Sequence, residues 1–127
     1  MLATLTVKNY AIIDDLRIDF SEGLNIITGE TGAGKSILLG ALSLVLGQRA
    51  DSKMLHSSST KCVVEAIFQI KNYQLAEFFK EYDLDYDEET VIRREITPSG
   101  KSRAFINDTP VTLTVLSSLS GRLINVH

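Results

Sequence analysis

The stretch GETGAGKS, positions 29–36, constrains this chain more than any other. Glycine weakens helices and strands alike, so Gly29, Gly32 and Gly34 belong where the backbone turns tightly or comes very close to something. Their spacing indicates what comes close. Gly29, Gly34, Lys35 and Ser36 fill every fixed position of G-x-x-x-x-G-K-[ST], a loop whose amides surround nucleotide phosphates while its lysine reaches the outer phosphates and its serine holds magnesium. The flanks agree. LNIIT before the loop is short, apolar and β-branched and predicts a buried strand over residues 24–28, and residues 36–46 predict a helix closed by Gly47. Strand, loop and helix in that order aim a helix N-terminus, with its partial positive charge, at an anion. A plain glycine turn with Lys35 solvated is the competing reading, and it leaves the filled motif and its flanks without a reason.

At 127 residues the chain is one domain or part of one, and a content of 44% hydrophobic and 23% charged residues suits a packed core. A net charge of -3 and a pI near 5.3 supply no overall attraction to nucleic acid. The single cysteine, Cys62, lies in an apolar run and reads as a small buried hydrophobe with no internal disulfide open to it. The first twenty residues alternate apolar and polar and lack a signal peptide's continuous apolar segment, so a native cytosolic N-terminus is expected. The apolar helix after the loop is too short to span a bilayer.

Residues 2–8 and 12–20 alternate with period two and predict an antiparallel pair connected around Asn9 and Tyr10, after which Ser21, Glu22 and Gly23 turn the chain into the loop-bearing strand. QRADSKMLHSSSTK reads as a surface loop leading to a strand over residues 62–70. Asn72 is placed to cap a helix whose Leu75, Phe78, Phe79 and Tyr82 form a core stripe. The acidic run 83–89 reads as a solvated loop, because nothing makes its carboxylates converge. TVIRREITPSGKSRAFINDTPV predicts a hairpin turned at Pro98, Ser99 and Gly100, with a second turn at Asn107 and Asp108. Thr112 is expected to cap a short helix bearing Leu113, Leu116 and Leu119, closed by Gly121, and residues 123–126 to form a final buried strand.

Two apparent motifs fall away on inspection. AIIDD, positions 11–15, looks like the apolar strand ending in Asp that phosphoryl-transfer enzymes use for magnesium, but the alternation continues through it, and Asp14 and Asp15 read as turn or edge residues. LSGR, positions 119–122, is similar to the LSGGQ signature of one ATPase class, yet its glycine falls where a helix is predicted to end, presenting carbonyls to any phosphate.

A complete phosphate loop without those two motifs is half of a site, and in that form the chain resembles the N-terminal head segment of the RecN family, bacterial DNA-repair ATPases related to the SMC proteins and the ABC superfamily. NYAIIDDLRIDFSEGLNIITGETGAGKSIL carries the resemblance, with LGQRADS, SRAFIND and LINVH extending it over nearly the whole chain. The resemblance implies an α/β P-loop NTPase of ABC/SMC head type, residues 1–127 being its N-terminal lobe with an antiparallel β subdomain. A coiled-coil arm and a C-terminal lobe would belong to a longer protein, together with a Q-loop glutamine beyond residue 127, the signature and the second acidic motif. It further implies that Gly29, Glu30, Thr31, Gly32, Ala33, Gly34, Lys35 and Ser36 hold ATP, with Lys35 as the catalytic cation on the β- and γ-phosphates and Ser36 on Mg2+. The implied partners are the chain's own C-terminal lobe, a second head in a homodimer that sandwiches two ATP molecules, and DNA, with no membrane and a cytoplasmic, nucleoid-associated location. ATP binding would close the dimer and hydrolysis open it, gating a hold on broken DNA ends. Residues 1–127 alone are expected not to turn ATP over.

Arg49 has two readings of equal standing, a nucleotide contact as in related SMC heads and a solvated loop arginine. Arg93, Arg94 and Arg103 read as a solvated strand face, with DNA phosphates as the alternative. His56 stands where many relatives would carry arginine, and no role is assigned to it. Three other classes compete: a GTP-binding switch, which lacks its N-K-x-D motif here, a small-molecule kinase, which should show a lid and substrate pocket, and a structural module with a vestigial loop, against which an intact Lys35 and Ser36 argue.

Overall fold

The computed structural model describes residues 1–20, 32–50 and 52–124. Period-two alternation produces β1 (Leu2–Tyr10) and β2 (Ile13–Asp19), followed by α1 (Gly32–Val45), β3 (Cys62–Gln69), α2 (Ala76–Glu81), β4 (Glu89–Ile96), β5 (Ser102–Ile106), β6 (Thr109–Val111) and α3 (Leu113–Ile124). The six strands form one antiparallel sheet in the order β2-β1-β3-β4-β5-β6. The expected turn at residues 21–23 and strand at 24–28 lie outside the described residues.

One face of the sheet is the core. A register row joins Val7, Val64, Arg94 and Ala104 across β1, β3, β4 and β5, the next joins Leu5, Ala66, Ile92 and Ile106, and all of these side chains are buried. Onto β1, β3 and β4 packs α1, whose Leu38, Ala41 and Val45 recur at helical spacing and are buried with Leu44. The other face is a lattice of alternating charge. Lys8, Val63, Glu95 and Arg103 stand opposite one another in register. Glu95 lies 3.4 Å from Lys61 and 3.2 Å from Arg93, which also approaches Asp108 and covers the Phe105 ring at 4.4 Å. Of these contacts the one between Arg93 and Phe105 joins partners directly opposite on neighbouring strands, a kind of pair that contributes about 0.2–1 kcal/mol. Arg93 and Arg103 thus occupy the polar strand face expected of them. Arg94 does not. It points into the core, which rules out both the solvated reading and the DNA alternative for this residue.

The turn between β1 and β2 is tied to the serine-rich loop. Asn9, buried with φ at 57°, donates from Nδ2 to the carbonyls of Ser57 and Thr60 at 3.0 and 2.9 Å and accepts from the Ser57 amide. The Ala11 amide donates to Met54 O, and His56 Nδ1 lies 2.8 Å from Ala11 O. Asp14 and Asp15 are exposed on β2, an edge strand among the described residues, as expected.

Three sequence expectations are corrected. Asn72 caps no α-helix: it sits in a 3-10 turn, Lys71–Tyr73, and α2 starts only after the left-handed Gln74, with Leu75 at its N-cap and no side-chain cap bond. Leu75, Phe78 and Phe79 are core as predicted, whereas Tyr82 is 39% exposed and leans on Phe78 at 4.7 Å. Gly121 does not end α3, and Leu123 and Ile124 are helical and form no strand. The spacing of Leu116, Leu119 and Leu123 keeps one helix face buried past the glycine, and burial overrides its weak helix propensity. Thr112 does cap this helix, accepting the Val115 amide at 3.2 Å. Because a Cβ at Gly121 would meet open space, Gly121→Ala is expected to stabilise the protein by about 0.5–1 kcal/mol in urea unfolding.

Candidate functional site

The helix into which GETGAGKS runs organises this candidate site. It starts four residues earlier than expected, so that Gly32, Ala33, Gly34 and Lys35 form its first turn, where amides have no intrahelical acceptor and helical backbone needs no preceding residues to bond to. No acidic residue in that turn opposes the partial positive charge. Ser36 is exposed. Gly29, Glu30 and Thr31 lie outside the described residues, and Gly32, Ala33, Gly34, Lys35 and Ser36 enter α1.

The far end of α1 is held by several elements. Gly47, with φ at 98°, reverses the chain. The Gly47 amide donates to Leu44 O, and the Gln48 amide to Ser43 O, the paired bonds of a Schellman cap. Two other elements converge here. Ser120 of α3 donates from Oγ to Val45 O at 3.4 Å, and Ser117 lies against the Gly47 backbone. From β4, Arg94 Nη1 donates to Leu44 O at 2.8 Å and to Gln48 O at 2.7 Å, while its Nε donates to Ser102 Oγ at 2.9 Å. Arg94 is 1% exposed, makes no ion pair among the described residues, and leaves Nη2 without a hydrogen-bond partner. A cation at a helix C-terminus meets the negative end of the dipole and the unpaired last carbonyls.

Burial lowers the pKa of this guanidinium, with the neighbouring Cys62 acting in the opposite direction. Burial also pushes the Cys62 thiol up to about 11, against the pull of Arg94, so Cys62 stays a neutral core side chain as its sequence context predicted. Arg49 is exposed. The acidic run around residues 85–89 is exposed, and no cluster of metal-ligating side chains occurs among the described residues.

Sequence reasoning missed Arg94 as a structural residue, although its parity was available. Ile92, Arg94 and Ile96 alternate on one strand face, and that face is apolar.

The fold is that of an SMC ATPase head. The chain superposes with a TM-score of 0.72 and 24% identity, over 97% of its own length and 80% of the other chain, on a structure from work on ATP-driven dimerisation and DNA-stimulated activation of SMC ATPases. With the Smc head domain of Pyrococcus furiosus the TM-score is 0.69 at 21% identity, covering 95% of this chain and 32% of that one. A family model described as an AAA domain matches residues 4–122, and the chain belongs to that family. Over its whole length it is 45% identical to the DNA repair protein RecN of Vibrio cholerae, covering 23% of that protein, and 39% identical to RecN of Bacillus subtilis, covering 22%. The chain therefore spans about a quarter of the length of these curated relatives, and the resemblance read from GETGAGKS and its surroundings is borne out.

Proposed function

We propose that this chain is the nucleotide-binding lobe of a DNA-repair ATPase. The observation that carries the reading is a filled GETGAGKS motif entering α1, whose first turn is Gly32, Ala33, Gly34 and Lys35 and carries no acidic residue. Its residues fit ATP with Mg2+: the amides of residues 32–36 would surround the β-phosphate, Lys35 would neutralise the β- and γ-phosphates, and Ser36 would ligate the metal, with Gly29, Glu30 and Thr31 completing the loop. The RecN relatives support DNA repair as the setting, and the SMC likeness supports a head that pairs with a second copy on ATP and with DNA. On this reading residues 1–127 are the N-terminal lobe of a head, completed by a C-terminal lobe that brings the signature and the acidic motif. Dimer closure on ATP and opening on hydrolysis would then gate the hold on broken DNA ends in the cytoplasm. Binding without turnover is the expected behaviour of the lobe by itself, since a positioned water and an opposing signature are both required for transfer.

Competition calorimetry tests the nucleotide assignment. With no N-K-x-D motif to pair with guanine, MgATP and MgGTP are expected to bind within about tenfold of each other, or ~1.4 kcal/mol. A preference for GTP of about a hundredfold, roughly 3 kcal/mol, would replace the ATPase reading with a switch.

A further inference from the structure

From the contacts at its C-terminal end, we infer that Arg94 is a positioning residue for the phosphate loop: it fixes α1 along its axis and so sets where the helix N-terminus meets the nucleotide. The inference rests on the phosphate-binding reading of α1. Helix α1 is held on the sheet by Leu38, Ala41, Leu44 and Val45, apolar contacts that resist separation but carry little directional preference along the axis. Axial position needs directional bonds. Arg94 supplies one to the last turn of the helix, at Leu44 O, and from the same nitrogen a second to Gln48 O just past the Gly47 reversal, while Ser102 Oγ fixes the plane of the guanidinium through Nε. The helix is a rod of about 21 Å, at ~1.5 Å per residue over its 14 residues, so an axial slip at one end appears undiminished at the other.

The surroundings of Arg94 show that its position is narrowly determined. In register it faces Val64 on one neighbouring strand and Ala104 on the other, its Nη2 has no partner, and no carboxylate pairs with it among the described residues. A buried guanidinium held by two main-chain carbonyls, with Nη2 unpaired and no acid beside it among the described residues, is an expensive device for stability alone, since an apolar side chain of similar volume often serves as well. What an apolar side chain does not supply is a directional bond to the end of α1 together with one to the chain that leaves it. The hydrogen bonds of Arg94 among the described residues run to Leu44, Gln48 and Ser102, so on this reading it acts through α1.

The test uses the full chain and reads MgATP affinity by calorimetry beside thermal unfolding, for the parent, Arg94→Met, Arg94→Lys and Leu119→Ala. Leu119 is buried on α3, and its truncation is the stability control. Arg94→Met is expected to weaken MgATP binding about tenfold, within the range of coupling carried by packed networks. Arg94→Lys, which keeps a cation able to reach the carbonyls, should recover to within about threefold of the parent. Leu119→Ala should lose thermal stability and keep the parent's affinity. Parent affinity in Arg94→Met, or an equal affinity loss in Leu119→Ala, overturns the inference. Should Arg94→Met not fold, Ser102→Ala decides. That change frees Nε and leaves the charge in place: a loss of about threefold supports the anchor and an unchanged affinity removes it. If the parent itself does not bind MgATP, the phosphate-loop reading fails and the positioning role falls with it, an outcome distinct from a parent that binds and variants that bind equally well.

Discussion

Lys35→Ala is expected to weaken MgATP binding by about a hundredfold, roughly 3 kcal/mol, while leaving the thermal unfolding midpoint unchanged. The ammonium is the only side-chain cation within GETGAGKS, and two charge-assisted hydrogen bonds to phosphate oxygens contribute about 1.5–3 kcal/mol each. The backbone amides of the first helical turn remain in the variant, so residual binding is expected to survive. Stability should not fall, because Lys35 lies in the first turn of α1 and alanine has at least as high a helix propensity. The loss should also track the phosphates. MgATP and MgADP should both weaken, and adenosine, which offers the lysine nothing, should bind the two proteins alike. Calorimetry that finds one MgATP affinity for parent and variant would remove Lys35 from the site and favour the vestigial-loop reading.

The largest effect on stability is expected at Gly47. Alanine there meets two separate obstacles. A φ of 98° is strained for any L side chain, at about 1–2 kcal/mol, and the new Cβ would collide with Ser117 Oγ while standing 3.1 Å from the Ser117 Cα. The collision involves helix backbone as well as a rotatable hydroxyl, so α3 must shift away from the cap of α1. A total loss of about 3 kcal/mol is expected in urea unfolding. Ser117→Gly in the same background removes the side-chain part of the contact and leaves the strain, so it should return about 1 kcal/mol more than its own cost as a single change predicts. Additive single and double variants would show that α1 and α3 do not meet at Gly47 as described.

Legibility in the sequence followed the range of the forces involved. The strands of the β1–β2 pair, β3 and the β4–β5 hairpin were readable because alternation and turn residues are local properties, and so were the Thr112 cap and the Gly47 stop, whereas the short β6 was not read as a strand. Where local and distant signals conflicted, the distant one decided. Gly121 is a good helix terminator by propensity, and the burial of Leu123 beside Leu119 carries the helix through it. Asn9 looked like an ordinary turn residue, and its partners, Ser57 and Thr60, lie far along the chain. Arg94 followed Arg93 in a polar pair, and only the parity shared with Ile92 and Ile96 separated the core residue from its solvent-facing neighbour. Of the candidate site, the motif was legible in full because its chemistry is written in consecutive residues. The device at the other end of the helix was not, since it joins β4, β5 and α1 through two carbonyls that no sequence pattern marks.

The order of strands also bears on how the molecule comes together. From β3 to β6 each strand pairs with the next in sequence, whereas β1 reaches past β2 to pair residues 2–8 with residues 63–68, enclosing α1 in the interval. Loop-closure entropy grows with the length of chain enclosed, so this seam is the one with the greatest entropic cost to form. The meander can assemble from short-range encounters. Helix α1, by contrast, belongs to the longest segment that must be gathered in, and its seat is complete only when the two halves of the sheet have met.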